Sequence, residues 1–197
     1  MVDFNEYLHE YSLQGIHVPS VSELLRPVSG DFECDPRYAE RGTTIHNLTD
    51  LYDRGLFFDG LADDEIYPYM AAYFDFHDAH DIEVISSEKI VFNPNLLYAG
   101  RLDRIWKIDG IRHLTDTKTG SKYKQHLYQV VAYAMAEGGE AMSLSNLYLT
   151  PYSHKLVTWK NEDVVYGESM VEALSLIYWD SHRKDRKALE KIIGEAK

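Results

Sequence analysis

The sequence predicts an α/β fold in a single domain covering residues 1–197: a mixed central sheet flanked by helices, with an N-terminal β-hairpin and a long C-terminal helix. Three observations carry this. β-Branched, alternating runs cluster at 82–92, 97–108 and 111–118. Helical patterns at 36–54 and 122–137 bracket them, and a further β-run follows at 144–150. Between residues 36 and 150 the order is therefore αβββαβ, the alternation of a layered α/β domain.

The elements read as follows. Phe4–Tyr11 and Ile16–Val18 form a short hairpin around Leu13-Gln14-Gly15, ended by Pro19. Ser20-Val21-Ser22-Glu23 has the spacing of a capping box and opens a short helix, Val21–Leu25, which Pro27 is expected to stop. Residues 28–35 read as loop. Pro36 suits the first turn of a helix that Gly55 terminates, with Ile45, Leu48, Leu51 and Tyr52 as its apolar face. Asp63-Asp64-Glu65 places negative charge at the start of a helix from Glu65 to about His80, with Tyr69, Tyr73 and Phe76 in the core. Asn93-Pro94-Asn95 and Asp109-Gly110 are turns, and Gly138-Gly139 ends the helix from Lys122. Leu144–Thr150 and Lys155–Trp159 form a last hairpin. Asn161 is expected to cap the C-terminal helix, with Val164, Met170, Leu174, Ile177 and Tyr178 on one face.

Composition narrows the function. At 45% hydrophobic the chain can bury a core. No apolar run approaches the ~18 residues of a membrane span. The opening residues carry no basic or apolar stretch of a signal peptide, so a cytosolic setting is expected. Cys34 is the only cysteine, which excludes an internal disulfide, a Cys-rich zinc site and a four-Cys iron–sulfur cluster. The net charge of −12 argues against a nucleic-acid partner. Its distribution weakens that argument: residues 56–88 hold nine acids and no Lys or Arg, leaving −3 for the rest, whereas 101–124 sum to +4 and 182–197 to +3. The acidic block and the basic run 183–187 read as solvated surface.

The central hairpin carries the chemistry. Asp109-Gly110 signals a two-residue type I′ turn, which sets the register. Ile108 then faces Ile111, Asp103 faces Asp116, and Arg101 faces Lys118. Period-two alternation puts Asp103, Asp116 and Lys118 on one face. Directly opposed carboxylates repel, and partial burial raises the cost. A hard divalent cation, Mg²⁺ or Mn²⁺, would relieve it, leaving Lys118 to face a phosphate or an attacking water. The alternative is a solvated hairpin neutralised by Arg101, Lys107, Arg112 and Lys118.

Four segments together resemble a known family. Gly100-Arg101-Leu102-Asp103, Asp116-Thr117-Lys118-Thr119-Gly120 and Gln129-Val130-Val131-Ala132-Tyr133 resemble the G-x-x-D, D-x-K-T-G and Q-x-x-x-Y series of the PD-(D/E)XK nuclease superfamily, in its RecB-type and phage exonuclease branch. Arg41-Gly42-Thr43-Thr44-Ile45-His46 resembles that branch's R-G-T-x-x-H helix. Pro19 to Leu25 resembles the P-S-V-T-x-I-L segment of phage relatives. The likeness runs from about Tyr11 to Tyr152. It implies a restriction-endonuclease-like core and a Mg²⁺- or Mn²⁺-dependent deoxyribonuclease, an exonuclease serving recombination, repair or replication. By match, Asp103 and Asp116 become metal ligands with the Thr117 carbonyl, His46 and Glu88. Lys118 becomes the catalytic lysine, while Gln129 and Tyr133 position substrate. Arg41 becomes a candidate phosphate contact; a surface salt bridge is the other reading for it. The resemblance further implies DNA as partner, no membrane, the host cytoplasm for a phage-encoded chain, and room for a homo-oligomer or for recombination or replication partner proteins. The lone Cys34 sets aside the cluster-binding CRISPR adaptation nucleases. Competing functions are a non-catalytic nucleic-acid-binding relative, a structure-specific endonuclease, and a hydrolase of small phosphoesters.

Charge distribution and resemblance together predict DNA binding that is weak, confined to one face, dependent on divalent metal and steeply weakened by salt. Fluorescence anisotropy across a salt series, with and without chelator, checks this. Tight binding at high salt without metal would contradict it.

Overall fold

The computed structural model describes residues 2–29, 35–58, 60–139 and 142–195. It is an α/β structure with a five-stranded mixed sheet, a three-stranded antiparallel sheet and six helices among the described residues. Cys34 and most of the expected 28–35 loop lie outside the described residues. No helix among them is long and apolar enough to cross a membrane.

The N-terminal segment forms β1 (Asp3–Asn5), β2 (Glu10–Leu13) and β3 (Ile16–Val18), all antiparallel. The expected hairpin is thus three strands. The run 4–11 divides because Asn5 Oδ1 accepts from the amides of Tyr7 and Leu8 and closes a turn within it. Helix α1 (Val21–Ser29) opens on the expected capping box: Glu23 N–H donates to Ser20 Oγ, and Ser20 N–H to Glu23 Oε2. It does not stop at Pro27. That proline lies on the exposed face, while Val21, Leu24 and Leu25 are buried and Val28 packs beside them. Burial of that face outweighs the amide hydrogen bond a proline cannot make.

Helix α2 (Pro36–Asp53) is capped by Asp35 and ends before Gly55, which takes φ +68°. Helix α3 (Tyr67–Ala79) begins two residues later than expected, because Asp63 Oδ1 accepts from the Glu65 and Ile66 amides in a preceding turn. Strands β4 (Ile82–Asn93), β5 (Tyr98–Ile108) and β6 (Ile111–Thr119) form an antiparallel meander. Helix α4 (Gln125–Glu137) starts after Lys124 and crosses to β7 (Ser143–Thr150), which runs parallel to β6; β8 (Ser153–Thr158) closes the far edge.

The expected single C-terminal helix is two, α5 (Asn161–Ser181) and α6 (Arg183–Glu195). The chain turns at His182, whose ring stacks on Tyr178 and whose Nδ1–H donates to the Tyr178 carbonyl. The turn lets α6 fold back and bury Leu189 against the N-terminal sheet. Asn161 is the first helical residue rather than the cap, and extended Lys160 precedes it without a side-chain cap. Val171, Leu174 and Trp179 carry the buried face of α5, and Ile177 is exposed.

Two apolar cores sandwich the large sheet. One face packs on α1, α4 and α5, the other on α2 and α3. Across the second face runs a buried polar network. Arg104 of β5 is fully buried. Its Nε donates to Asp53 Oδ2 at 2.6 Å, and its Nη2 to Thr49 Oγ1 at 2.7 Å, so it grips α2 twice. Tyr73 of α3 donates to the other Asp53 oxygen at 2.6 Å, and His77 Nε2 lies 3.4 Å from it. The Tyr73 and Trp106 rings flank the guanidinium. Burial alone would raise the Asp53 carboxyl, but the His77, Arg104 and Tyr73 contacts outweigh it and hold it below the usual carboxylate range.

Removing one partner of a buried ion pair strands the other charge, at a cost of about 3–5 kcal/mol. Arg104→Met is therefore expected to destabilise the fold by about that much in urea denaturation. The Arg104→Met/Asp53→Leu double variant should recover most of the loss. An effect under about 1 kcal/mol would show that the network does not hold α2 to the sheet.

Candidate active site

The Asp-Gly turn sets the expected register over five pairs, from Ile108–Ile111 to Arg104–Thr115. Asp109 and Gly110 both take the positive φ of that turn. Beyond Arg104 the ladder stops. Asp103–Asp116 and Arg101–Lys118, expected as the next facing positions, are not paired residues. Instead the Thr117 amide donates to Asp103 Oδ2 at 2.8 Å. The strands part where two like charges would meet at ladder distance, and a side chain replaces the backbone acceptor. The two acids still share a site. Arg101 turns away from Lys118, to Glu88 on the other neighbouring strand (Nε–Oε2 2.9 Å).

The two carboxyls lie in different environments. Asp116 is 1% exposed. Lys118 Nζ lies 2.8 and 3.0 Å from its two oxygens, and Asn146 Nδ2 donates to Oδ2 at 2.8 Å. Asn146, its parallel-strand partner on β7, is fixed by Trp159 Nε1–H donating to its Oδ1. Burial, aided by the Asp103 charge and only partly offset by Lys118, pushes the Asp116 carboxyl up to about 6. Asp103 has His46 Nδ1 at 3.2 Å besides the Thr117 amide. Burial opposes its ionisation too, but His46, Lys118 and Arg104 outweigh burial and hold it well below the carboxylate range.

Glu88 is the third acid. Ser87–Arg104 and Lys89–Leu102 are paired, which sets Glu88 across from Asp103. It takes φ +49°, the one positive-φ non-glycine residue inside a strand among the described residues. Such strain persists only where the surroundings enforce it. Burial, and next the Asp103 charge, raise its carboxyl.

Helix α4 covers the acids. Gln129 and Tyr133, one turn apart, share a face, and Gln129 Nε2 donates to the Tyr133 hydroxyl at 3.1 Å. Tyr133 is buried. Burial first, then the Asp116 and Asp103 charges, raise its hydroxyl well above the usual phenol range. A Cβ at Gly100 would lie 2.7 Å from Tyr133 Cε1, so Gly100 and Tyr133 interlock.

Eight of the nine expected residues thus converge: Asp103, Asp116, Lys118, Thr117, His46, Glu88, Gln129 and Tyr133. Arg41 does not join them. On α2 it shares a face with buried Ile45 one turn on, and it lies between the Tyr38 and Tyr69 rings, 3.8 Å from Glu65. Gly42, one turn before His46, is the α2 position that abuts β6, at Thr119. Among the described residues, no three His, Cys, Asp or Glu side chains are gathered in metal-ligand geometry.

Three contributors are not apparent from the sequence patterns: Arg104, Asn146 and Trp159. The first two carry a signal. A charged residue at a core-facing position beside Trp106, and an amide between Leu144 and Tyr148 in a buried strand, are polar groups that must find partners. Similarly, His126 at the start of α4 meets the Tyr148 hydroxyl at 3.0 Å, and burial with the nearby Lys118 charge lowers it to about 4. No protein-family model matches the chain, and neither does any curated protein.

Asp116 generates a pH signature. Folded, it keeps its proton up to about pH 6; unfolded, only to about pH 4. Between these values the folded state binds more protons, so this group's contribution falls as pH rises, by roughly 2–3 kcal/mol in all. In chelator, Asp116→Asn is expected to gain that much on the parent between pH 4 and pH 7. Urea denaturation at each pH measures it, and a pH-independent difference would contradict it.

Proposed function

We propose that this chain is a metal-dependent deoxyribonuclease, an exonuclease with a restriction-endonuclease-like core acting in the cytoplasm. The observation that carries this reading is the shared site of two buried aspartates on parting strands, one bound by Lys118 and the other by His46.

The donor set fits a hard dication. Asp103, Asp116 and Glu88 offer carboxylate oxygens from three adjacent strands, and His46 an imidazole nitrogen. The raised Asp116 and Glu88 carboxyls are acids that the protein's own cations do not fully neutralise. These residues, with the Thr117 carbonyl, would hold Mg²⁺ or Mn²⁺, which supplies charge neutralisation at the phosphate and a more acidic water.

The remaining roles belong to the chain's own groups. Lys118, held against Asp116, places a fixed positive charge where negative charge builds on the phosphorus oxygens, and its ammonium can orient the attacking water. Gln129 and Tyr133 present an amide and a hydroxyl to the phosphodiester from a rigid helix. Thr117 and Asn146 keep the two carboxyls at fixed angles, so little reorganisation is needed as charge develops.

The test is digestion of linear, circular and single-stranded DNA with Mg²⁺, with Mn²⁺ and with chelator. Lys118→Ala and Asp116→Asn are each expected to lower kcat at least 100-fold with folding retained. Full activity in either would refute the mechanism. Cleavage of linear but not circular DNA is the result expected of an exonuclease.

A further inference from the structure

Two cavities meet at Arg101. One, of about 390 Å³, opens on Asp103, Glu88 and His46 and belongs to the site above. The other, of about 350 Å³, lies beneath the N-terminal sheet, with Phe4 and Tyr11 on one wall and Gly100 and Tyr133 on the other. His9 and Arg101 line both, so the two adjoin. Of the residues given a part in the phosphodiester chemistry, Tyr133 alone lines the second chamber.

The second chamber is held in a defined place. The Ala99 amide donates to the Pro19 carbonyl, and Ser20 bridges to Ala99, so the sheet is anchored one residue from Gly100. Tyr11 and Val18 pack with Leu97, Ala99 and Trp179 beneath it. The Phe4 ring stacks on Tyr11 at 4.8 Å. The Arg101 guanidinium lies 5.6 Å over Phe4 while its Nε holds Glu88. One cation therefore sits at the junction, between an aromatic face and an acid of the candidate site.

An aromatic wall beside a guanidinium matches a base beside a phosphate: rings stack on bases without regard to sequence, and Arg pairs with phosphate oxygens. At about 350 Å³ the chamber is near the lower end of the ~300–1,000 Å³ range of small-molecule sites, which suits one nucleotide and not a base pair.

We propose that this chamber is a subsite for one unpaired nucleotide next to the scissile phosphodiester, with its base on Phe4 and its flanking phosphate on Arg101. The proposal rests on the nuclease reading for its substrate. It makes the substrate a single strand or a frayed end, since a duplex must unpair to enter.

The test is equilibrium binding to the full chain carrying Lys118→Ala, in Mg²⁺, of a fluorescein-labelled single-stranded oligothymidylate of about 20 nucleotides and of a blunt duplex of equal length. The single strand should bind at least tenfold more tightly. Phe4→Ala should weaken it about tenfold and Phe4→Trp should restore it, as base stacking requires. Ser22→Trp adds bulk to the same chamber from an exposed position of α1 and should weaken binding similarly with an unchanged thermal midpoint. Equal binding of strand and duplex would overturn the proposal, as would parental affinity in the folded Ser22→Trp variant. Cleavage by the wild-type chain together with parental affinity of Ser22→Trp would remove the subsite and leave the nuclease reading. Strand-selective binding by a wild-type chain that cleaves nothing with either metal would do the reverse.

Discussion

The buried pair of Arg104 and Asp53 is the contact on which the rest of the site's geometry depends. A guanidinium without solvent exposure is costly unless every donor is answered, and here α2 answers it twice, through Asp53 and Thr49. Those residues lie at one end of α2. They fix its rotation about its own axis, which brings His46, one turn before Thr49, to Asp103 on the neighbouring strand position. Arg104 Nη1 also lies 3.4 Å from Thr117 Oγ1, and the Thr117 amide holds Asp103. One buried charge on β5 thus helps position both the neighbouring acid and the histidine that meets it. An apolar residue could fill the same volume, but it would leave α2 free to slide along a greasy interface.

The acids beyond this clamp are arranged against their own stability. Glu88, Asp103 and Asp116 occupy three adjacent strands, and the fold spends no ladder hydrogen bonds between the last two. The separation is achieved by local departures: a left-handed Glu88, strands that part after Arg104, and a side chain in place of a carbonyl. Each acid faces a different basic side chain, Arg101, His46 or Lys118. Those contacts reduce the repulsion without removing it, since burial still keeps the Asp116 and Glu88 carboxyls raised. Concentrated strain and incomplete neutralisation are what a site built for a charged ligand requires, and a purely structural hairpin gains nothing from them.

Much of this was legible in the sequence because it was local. The Asp-Gly turn specified five strand pairs, the Ser20–Glu23 spacing a working capping box, and the spacing of Tyr69, Tyr73 and Phe76 a buried helix face. The departures arose where distant contacts overrode local preference. Pro27 stays within α1 because α4 and the sheet bury the face around it. The C-terminal helix breaks at His182, and α6 folds back to add Leu189, beside Trp179 of α5, to the core under the N-terminal sheet. The register failed only at the acids, where the repulsion that marks the site also undoes the pairing used to find it. Arg41 was drawn into the site by its neighbours in sequence, yet helical phase assigns it to α3 and leaves Gly42 facing β6.

The charge balance gains a spatial meaning from the fold. Of the described acids in the 56–88 block, Asp63, Asp64, Glu65, Asp75 and Asp78 lie exposed on and just before α3, Asp81 and Glu83 are exposed at the start of β4, and Glu88 alone is half-buried, at the site. The opposite end of β5 and β6 presents Arg101 and Lys118, and the loop into α4 carries Lys122 and Lys124 over Trp159 and Tyr166. The average charge of −12 therefore hides a local balance: at the cleft, Arg101 and Lys118 on the strand ends are paired with Glu88 and Asp116, and Lys122 and Lys124 stand in the loop into α4.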